Sequence, residues 1–449
     1  MFGYNNFMKN KRHILLSGLT ATLLMTSNLQ AEESFLTEMV NDINLTSLTH
    51  VKDWIILPYA FSSESTGFTG GVGVIKTGLF QPQTTLVATA FYGAEQDIIT
   101  NGQDDTANFA GGFLLFSDYK LPFSNRLLFS LYGLKSYFPK GRHYLKGENS
   151  SNPDASLVTS GASDFLYTTF RYVLPLGEGI DNPEGAYNLK NGFAMDRERY
   201  GGGVPFVTGE TSMGIKTFYS HDAFENTAEA PFAEWDTSGL RFFLYHENTD
   251  YDLNPSRGYQ FRIQYSKDFG EGDSLQSWDF LEAKYNHYFN LSTFSGTQQN
   301  VLALSLWTGY SFSWDNDETY ENTVIDAHRA PPWEGARLGG FNRMRGYENN
   351  RFSDKAVFYA TAEYRAILDW NPFKNNKIIP APIDWLQIVA FVEAGRVNDE
   401  YNSDLLKDMK YDVGLSLRAM VAEVPLRIDV AYGDEGTNFR VMVFQPFDF

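Results

Sequence analysis

The sequence predicts an all-β protein, a transmembrane antiparallel β-barrel of sixteen strands, from three observations. Segments of about ten residues with alternating apolar and polar side chains recur along the chain, which is the pattern of a barrel wall. Aromatic residues make up 16% of the 449 residues although the mean hydropathy is −0.32. No stretch beyond the N-terminal region approaches the ~18 apolar residues of a membrane-spanning helix, so strands must make any crossing.

The first 31 residues have the pattern of a secretory signal peptide. Lys9, Lys11 and Arg12 form a positive n-region, residues 14–25 are an apolar stretch too short to span a bilayer, and Ala31 precedes a cleavage point. A buried N-terminal helix is the alternative. The signal predicts export in a bacterial cell.

Export leaves one predicted domain, the outer-membrane barrel of residues 52–449, preceded by a short periplasmic segment, 32–51. In that segment Phe35, Met39 and Ile43 recur at helical spacing. We therefore expect a short amphipathic helix before the first strand.

Sixteen strand-like segments are predicted, an even number as a closed bacterial barrel requires. Phe261 and Ile263 share the outer face of one segment, whereas Glu363 and Arg365 point inward from another. Because all backbone groups in lipid must be paired, such strands must close into a cylinder. A soluble β-sandwich is the alternative. The predicted strands are 52–61, 67–78, 84–95, 108–120, 125–137, 162–174, 206–219, 238–248, 258–268, 277–291, 300–313, 355–369, 386–397, 409–420, 424–433 and 438–447.

The connections between strands indicate which end of the barrel faces outward. Short turns rich in Gly, Pro and Asn are expected on the periplasmic side. The segments 139–161, 220–237 and 314–354 are long, polar and acidic, as extracellular loops should be. Residues 176–205 do not fit, because they are long where a periplasmic turn is expected. They are either a periplasmic insertion or a sign that the strand count is wrong there.

Charge and motifs exclude several classes of function. The formal net charge of −19 argues against nucleic acid as a partner, and the lack of cysteine excludes thiol chemistry. Neither G-x-S-x-G nor H-E-x-x-H occurs, and the glycine-rich stretch 68–73 lies in a predicted strand. We predict no enzyme activity, no cofactor and no metal; a surface hydrolase on a barrel scaffold is a further hypothesis. The acidic stretch 315–322 is interpreted as a solvated loop, with a divalent-cation site as the alternative.

Four short motifs in the second half of the chain carry a family resemblance. They are Asn-Pro-x-x-Gly in residues 254–258; Arg345, Gly346 and Tyr347; Phe391, Glu393 and Gly395; and Gly414, Leu417 and Arg418. Together they resemble the bacterial surface-antigen barrel superfamily, which includes BamA and the two-partner secretion transporters. The resemblance covers residues 52 to 449, with Met344 where the family often has Val or Leu.

The resemblance implies that the long polar segment around Arg345 folds back into the barrel lumen. Arg345 would form a bidentate, charge-assisted pair with Glu393. Gly346 would permit a tight backbone at the tip, and Tyr347 would stack on the wall. A solvated external loop with incidental charges is the alternative. The implied docking wall is Phe391, Glu393, Gly395, Gly414 and Arg418.

The resemblance also implies a function in inserting or translocating protein or lipid at the outer membrane, with outer-membrane lipid as a partner. A passive or structural pore is the alternative, and a homo-oligomer is possible in either case. Relatives carry periplasmic POTRA modules before the barrel. Residues 32–51 are too few for one, so the chain resembles a member of the superfamily without them.

The two ends of the predicted barrel sequence have further features. Phe439, Phe447 and Phe449 resemble the C-terminal recognition signal of bacterial outer-membrane barrels, which implies the barrel assembly machinery as a partner. Pro58 lies in the first predicted strand and Pro446 in the last. Because proline removes a ladder donor, we hypothesise a weak seam between these strands, like the lateral gate attributed to the family.

Overall fold

The computed structural model describes residues 54–63, 66–81, 83–100, 103–144, 146–185, 189–195, 201–224, 234–272, 274, 276–320, 323–374, 383–421, 424–443 and 445–447. The predicted signal peptide and the segment 32–51 lie outside these residues. The strands are β1 (Ile55–Ser63), β2 (Gly67–Thr77), β3 (Thr85–Thr100), β4 (Gln103–Lys120), β5 (Leu127–Tyr144), β6 (Ser156–Val173), β7 (Leu189–Lys190), β8 (Phe193–Ala194), β9 (Glu210–Phe224), β10 (Glu234–Thr249), β11 (Gly258–Asp268), β12 (Trp278–Leu291), β13 (Thr297–Tyr310), β14 (Asp315–Tyr320), β15 (Thr323–Ala327), β16 (Ala336–Leu338), β17 (Phe352–Asp354), β18 (Ala356–Leu368), β19 (Ile383–Asn398), β20 (Lys410–Val421), β21 (Val424–Gly433) and β22 (Gly436–Val443). Two short 3-10 helices span Gly177–Ile180 and Ser403–Leu406.

Most of these strands form one antiparallel sheet. β1–β6, β9–β13 and β18–β22 make a sixteen-stranded sheet in which each strand pairs with its neighbours along the chain. Each predicted strand overlaps one of them, and the predicted segments 258–268 and 424–433 coincide with β11 and β21. Among the described residues no ladder joins β1 to β22, so closure into a complete cylinder stays a prediction.

The sheet has an apolar outer face and a polar inner face. On β20, Leu415 and Leu417 are 62% and 49% exposed, whereas Ser416 and Arg418 between and beside them are 3% and 0% exposed. The inner face is the one that carries Arg418. Because a soluble protein buries apolar and exposes polar side chains, this reversed arrangement is that of a wall with lipid outside.

Several strands are longer than the sequence predicts. β5 continues to Tyr144 and β6 begins at Ser156, so only the middle of the segment 139–161 is a loop. Likewise β9 ends at Phe224 and β10 begins at Glu234, inside the predicted loop 220–237. The prediction that both whole segments are loops is wrong, because antiparallel pairing continues through residues 141–144 with 156–159 and through residues 220–223 with 234–237.

The glycine-rich stretch 68–73 and most of the acidic stretch 315–322 also lie in strands. Residues 68–73 lie within β2, as predicted, and residues 315–320 form β14, which pairs with β15. No group of three or more His, Cys, Asp or Glu side chains that could hold a metal ion is found in the described part of the chain. Within those residues, no helix is long and apolar enough to cross a membrane.

The last strand ends earlier than predicted. β22 stops at Val443, so Pro446 lies in the turn that follows it and not inside a paired strand. Pro58 lies in β1, opposite Val72 of β2. Half of the predicted seam is therefore wrong, since the C-terminal proline removes no donor from a ladder of β22.

The chain turns toward the inner face after β22. Phe447 is 1% exposed, and its carbonyl oxygen accepts a hydrogen bond of 2.6 Å from Asn286 Nδ2. Its ring lies 4.7 Å from Cζ of Arg365, which points inward from β18. Phe439 stays on the outer face, 39% exposed, and Phe449 lies outside the described residues. Phe447 therefore lies outside the last strand, which the sequence predicts to run to residue 447.

Candidate functional site

The connection between β15 and β18 enters the space bounded by the inner face. We call residues 328–354 the arginine loop. Its base is a short ladder in which β16 pairs with β17, and its tip contains a turn closed by the Tyr347 N–H donating to the Met344 carbonyl at 3.0 Å. Phe341, Met344 and Tyr347 are all 0% exposed. The tip is therefore packed as tightly as a protein core.

Arg345 lies at the centre of a group of buried carboxylates. Its Nη2 is 2.9 Å from Glu363 Oε1, its Nε is 3.2 Å from Glu393 Oε1, and its Nη1 is 3.6 Å from Asp429 Oδ2. The Arg345 N–H donates to Glu393 Oε2 at 2.6 Å. The guanidinium stacks on the ring of Phe391, with Cζ 3.4 Å from the ring centre. Instead of the single bidentate pair with Glu393 that the sequence predicts, Arg345 faces three carboxylates.

Gly346 is required by lack of space. Its N–H donates to Asp412 Oδ2 at 2.9 Å. A Cβ at this position would lie 2.6 Å from the Asp412 Cβ and 2.9 Å from the Gly433 nitrogen, closer than real contacts allow. The residue at the tip with a left-handed backbone is Met344, with φ of +52°. Gly346 thus allows the loop tip to approach the wall closely, whereas the left-handed backbone conformation is adopted by Met344.

Tyr347 fixes the far side of the tip. Its hydroxyl donates to the Tyr411 carbonyl at 3.1 Å and accepts from the Asp434 N–H at 3.4 Å. Its ring meets the Phe352 ring edge-on, with centroids 5.2 Å apart. A Cβ at Gly433 would lie 2.9 Å from the Tyr347 ring, so that glycine makes room for it.

Two glycines of the predicted docking wall also make room for this packing. A Cβ at Gly414 would lie 2.2 Å from Cζ of Phe391, the ring on which Arg345 stacks. A Cβ at Gly395 would lie 2.8 Å from Leu338 Cδ1 of the arginine loop. Both positions therefore need the smallest residue on the inner face.

Arg418, the last predicted wall residue, does not contact the loop tip directly. Its Nη2 is 2.8 Å from Glu363 Oε1, and its Nη1 donates to Gln445. Glu363 also pairs with Arg365 at 2.8 Å. Arg418 therefore acts on the tip through Glu363, the carboxylate that it shares with Arg345.

Two further arginines, which the sequence did not identify as site residues, hold the main chain of the loop. Arg440 Nε donates to the Arg345 carbonyl at 3.1 Å, and its Nη2 donates to the Tyr347 carbonyl. Arg427 Nη2 donates to the Phe341 carbonyl at 2.9 Å. Both arginines lie at inward positions of β21 and β22. The alternation of side chains along a strand predicts this inner face, but it does not predict which carbonyl each arginine binds.

The arginine loop also contacts the opposite side of the sheet. Glu334 pairs with Arg241 of β10 and accepts a 3.2 Å hydrogen bond from the Tyr167 hydroxyl of β6. Trp333 Nε1 donates to Ser220 Oγ of β9 at 3.1 Å. Since β10 and β22 are eight strands apart in the sheet order, the loop reaches from one side of the enclosed space to the other.

This geometry, an arginine-tipped loop held on the inner face of a sixteen-stranded sheet, agrees with a sequence match. A model of the Omp85 superfamily domain matches residues 164–445, more than half of the chain. The chain belongs to the Omp85 superfamily. This Omp85 protein is an integral outer-membrane β-barrel protein, as the sequence predicts.

Two solved structures resemble this Omp85 protein at low identity. Haemophilus ducreyi BamA lacking POTRA domains 1–3 matches at 12% identity and a TM-score of 0.46, over 88% of this chain and 70% of that one. CdiB from Acinetobacter baumannii matches at 14% identity and a TM-score of 0.47, over 85% of this chain and 56% of CdiB. No curated protein matches the sequence at a significant level.

The buried charges have a physical consequence for the Omp85 barrel. Five arginines and four carboxylates are 4% exposed or less on the inner face and at the loop tip. Buried ions are tolerated when each one is paired, and removing one partner leaves its neighbour uncompensated. The network therefore favours a single position of the loop. Ion pairs link Arg345, Arg365, Arg418, Arg427, Glu363, Glu393 and Asp429, whereas Arg440 and Asp412 bind the main chain of the loop through hydrogen bonds.

Proposed function

We propose that this Omp85 protein acts in the insertion or translocation of protein or lipid at the outer membrane, and that it is not an enzyme. Membership of the superfamily supports the general class. The observation that carries the proposal further is the position of Arg345, completely buried between Glu363, Glu393 and Asp429 inside the barrel. A loop held in this way obstructs the lumen, so cargo handling requires more than diffusion through an open channel.

The decisive experiment is depletion of the protein followed by quantification of outer-membrane proteins and lipids. We expect selective loss of a set of outer-membrane proteins, or a changed lipid composition, that wild-type protein restores and Arg345→Ala does not. Lys407→Ala is the matched control, because Lys407 is exposed and pairs only locally with Asp404. Unchanged protein and lipid profiles after depletion would overturn the proposal.

A passive or structural pore is the competing function. It requires a continuous aqueous path, whereas the arginine loop contacts both β10 and β22 across the lumen. We expect planar-bilayer recordings of the wild-type protein to give a closed or briefly flickering channel. A large, steady open conductance would instead favour the passive pore.

We propose partners from the surfaces that the fold presents. Outer-membrane lipid covers the outer face, where residues such as Leu415 are exposed. β22 is the strand that the barrel assembly machinery would recognise, with Phe439 on its outer face. A homo-oligomer and a weak seam at Pro58 remain hypotheses. The seam hypothesis predicts faster amide exchange in β1 than in β2–β6, and equal protection would refute it.

A further inference from the structure

The connection between β6 and β9, residues 174–209, is the long segment that does not fit a simple turn. Consecutive strands of the sheet are antiparallel, so this connection lies at the opposite end of the barrel from the arginine loop. With the arginine loop on the extracellular side, the described parts of this connection, residues 174–185, 189–195 and 201–209, lie at the periplasmic mouth. The sequence interpretation as a periplasmic insertion therefore agrees with the strand order.

The root of this segment is fixed to the barrel rim. The Leu174 N–H donates to the Thr211 carbonyl at 2.8 Å, and the Glu178 N–H donates to the Gly209 carbonyl at 2.9 Å. Arg126, from the neighbouring turn between β4 and β5, donates to the Ile180 carbonyl at 2.9 Å. These contacts hold the first turn of the segment against the rim instead of leaving it in solvent.

The middle of the segment is a tight hairpin. β7 and β8 are joined by Asn191 and Gly192, whose φ angles are +51° and +73°. Two consecutive left-handed residues are the signature of a type I′ turn, for which Asn-Gly is a strongly favoured pair. The sequence thus encodes a compact, well-defined tip.

The tip of the hairpin reaches the inner face on the far side of the barrel. Trp385 Nε1 donates to the Gly192 carbonyl at 3.2 Å. A Cβ at Gly192 would lie 2.7 Å from Trp385 Nε1 and 2.9 Å from Met420 Cγ. Trp385 lies on the same inner face of β19 as Phe391, and Met420 lies on the same inner face of β20 as Arg418. Both are 0% exposed. The hairpin therefore enters the mouth of the lumen.

Apolar packing closes the mouth around the hairpin. Phe193 and Ala194 of β8 pack against a buried cluster formed by Tyr251, Leu253, Ile367, Trp385 and Met420. A polar layer lies beside this cluster, where Asn254 Oδ1 accepts hydrogen bonds of 3.2 Å from both Gln387 and Gln445. The cluster and the layer join strands β18–β20 to the turn between β10 and β11.

The end of the segment returns along the outside of the wall. The ring of Phe206 lies 5.4 Å from the ring of His246, which is paired across the ladder with Phe261 on the outer face. Asn248 Nδ2 donates to Thr208 Oγ1 at 2.9 Å, and the Tyr259 hydroxyl donates to the Gly203 carbonyl at 3.0 Å. Residues 189–195 therefore lie inside the mouth, whereas residues 201–209 pack on the outer face of the wall.

We infer that residues 174–185, 189–195 and 201–209 form a built-in periplasmic cap, with the β7–β8 hairpin as its plug. The cap and the arginine loop are connections at opposite ends of the sheet, and Gln445 lies between them, accepting from Arg418 and donating to Asn254. The lumen is thus closed twice, and release of the arginine loop alone leaves the periplasmic mouth shut. This inference does not depend on which cargo the protein handles.

Gly192→Val tests the cap by displacing the plug. A β-branched residue is strained at a positive φ, and its Cβ would collide with Trp385 and Met420. Gly296→Val is the matched control: Gly296 has φ of +96° in a turn at the same end of the barrel, but a Cβ there meets nothing within 4 Å. Both variants strain a turn, and only the first one unseats the plug.

The first readout is chemical labelling under the cap. The sequence contains no cysteine, so Met420→Cys introduces a single reactive thiol beneath the hairpin. In barrels that are folded by electrophoretic mobility, we expect maleimide to label this thiol about tenfold faster with Gly192→Val than with Gly296→Val, since local opening governs access. Equal labelling rates in the two backgrounds would overturn the inference.

The second readout is conductance in planar bilayers. We expect Gly192→Val alone and Arg345→Ala alone to remain largely closed, and the Gly192→Val/Arg345→Ala double variant to form a steady open pore. Arg345→Ala/Gly296→Val should behave like Arg345→Ala alone. A steady pore from Arg345→Ala alone would show that the periplasmic mouth is not capped. The role in insertion or translocation is tested by depletion of the protein, whereas the cap is tested by labelling and conductance. Failure of one proposal can therefore be distinguished from failure of the other.

Discussion

Arg440 of β22 donates from Nε to the main-chain oxygen of Arg345 across 3.1 Å. The last strand of the sheet therefore holds the backbone of the loop tip, while Glu363, Glu393 and Asp429 on β18, β19 and β21 hold the Arg345 guanidinium. The carbonyl oxygen and the guanidinium of Arg345 are thus fixed by different strands, while its main-chain N–H donates to Glu393 of β19. Movement of β22 and movement of the loop should be coupled through Arg440.

Arg440→Met tests this coupling. Methionine keeps most of the side-chain volume but leaves the carbonyls of Arg345 and Tyr347 without their donor. Leaving a buried acceptor unsatisfied costs about 1–3 kcal/mol, so hydrogen exchange should become faster in β22 and in residues 339–351 together. Arg396→Met is the control, because Arg396 donates to the Lys407 carbonyl outside the arginine loop. Faster exchange in β22 with an unchanged loop would contradict the coupling.

A double-mutant cycle tests the buried pair of Arg345 and Glu393. Removing one partner of a buried ion pair costs roughly 3–5 kcal/mol, so both Arg345→Ala and Glu393→Ala should lower the free energy of unfolding in detergent. We expect Arg345→Ala to cost more, because Arg345 also faces Glu363 and Asp429. The double variant should be little worse than Arg345→Ala. Losses that add fully would refute the pairing.

Much of this architecture could be predicted because the environment imposes a period of two on every strand. Glu363 and Arg365 are 0% and 1% exposed, and Ile263 is 47% exposed, each on the predicted face. Alternation also predicts that Glu393 lies on the inner face, where Arg345 contacts it. Where lipid is outside and polar groups are inside, alternation alone assigns a face to each residue.

The remaining contacts could not be predicted. Alternation assigns each residue to a face of the sheet, but it does not give the residue's position along the barrel axis. Arg427, Asp429 and Arg440 are inward by alternation, but their partners depend on the register between neighbouring strands and on how far the loop descends. The hairpin of β7 and β8 is a similar case. Its Asn-Gly turn is visible in the sequence, whereas its contact with Trp385 joins residues 193 positions apart.

Gly346→Ala tests whether the tip needs space more than backbone freedom. Its Cβ would meet the Asp412 Cβ at 2.6 Å and the Gly433 nitrogen at 2.9 Å, so the tip must move away from the wall. Overpacking of this kind costs about 1–3 kcal/mol. We expect limited proteolysis to cut the arginine loop faster. Gly112→Ala is the control, since its Cβ meets one atom at 3.1 Å, the Thr89 carbonyl oxygen. Equal cleavage of the two variants would contradict the steric explanation.

Ionisation of Asp354, at the base of the arginine loop, should make the stability of the docked loop depend on pH. Burial is the main cause that raises the pKa of Asp354 to about 6; the Lys355 N–H opposes the rise, and the carboxylates of Asp399 and Glu148 add to it. Because the docked loop binds this proton more tightly than the released loop, docking is most stable below the ordinary carboxyl pKa. That extra stability is lost as the pH rises through about 6.

Proteolysis of the loop as a function of pH, with a protease active across the range, measures this effect. Wild-type protein should be cut more slowly at pH 4 than at pH 7, after correction for the activity of the protease on an unfolded substrate. Asp354→Asn cannot ionise and should lose this part of the pH dependence while keeping the shape of the side chain. An identical pH profile for the wild type and Asp354→Asn would show that Asp354 does not control docking of the loop.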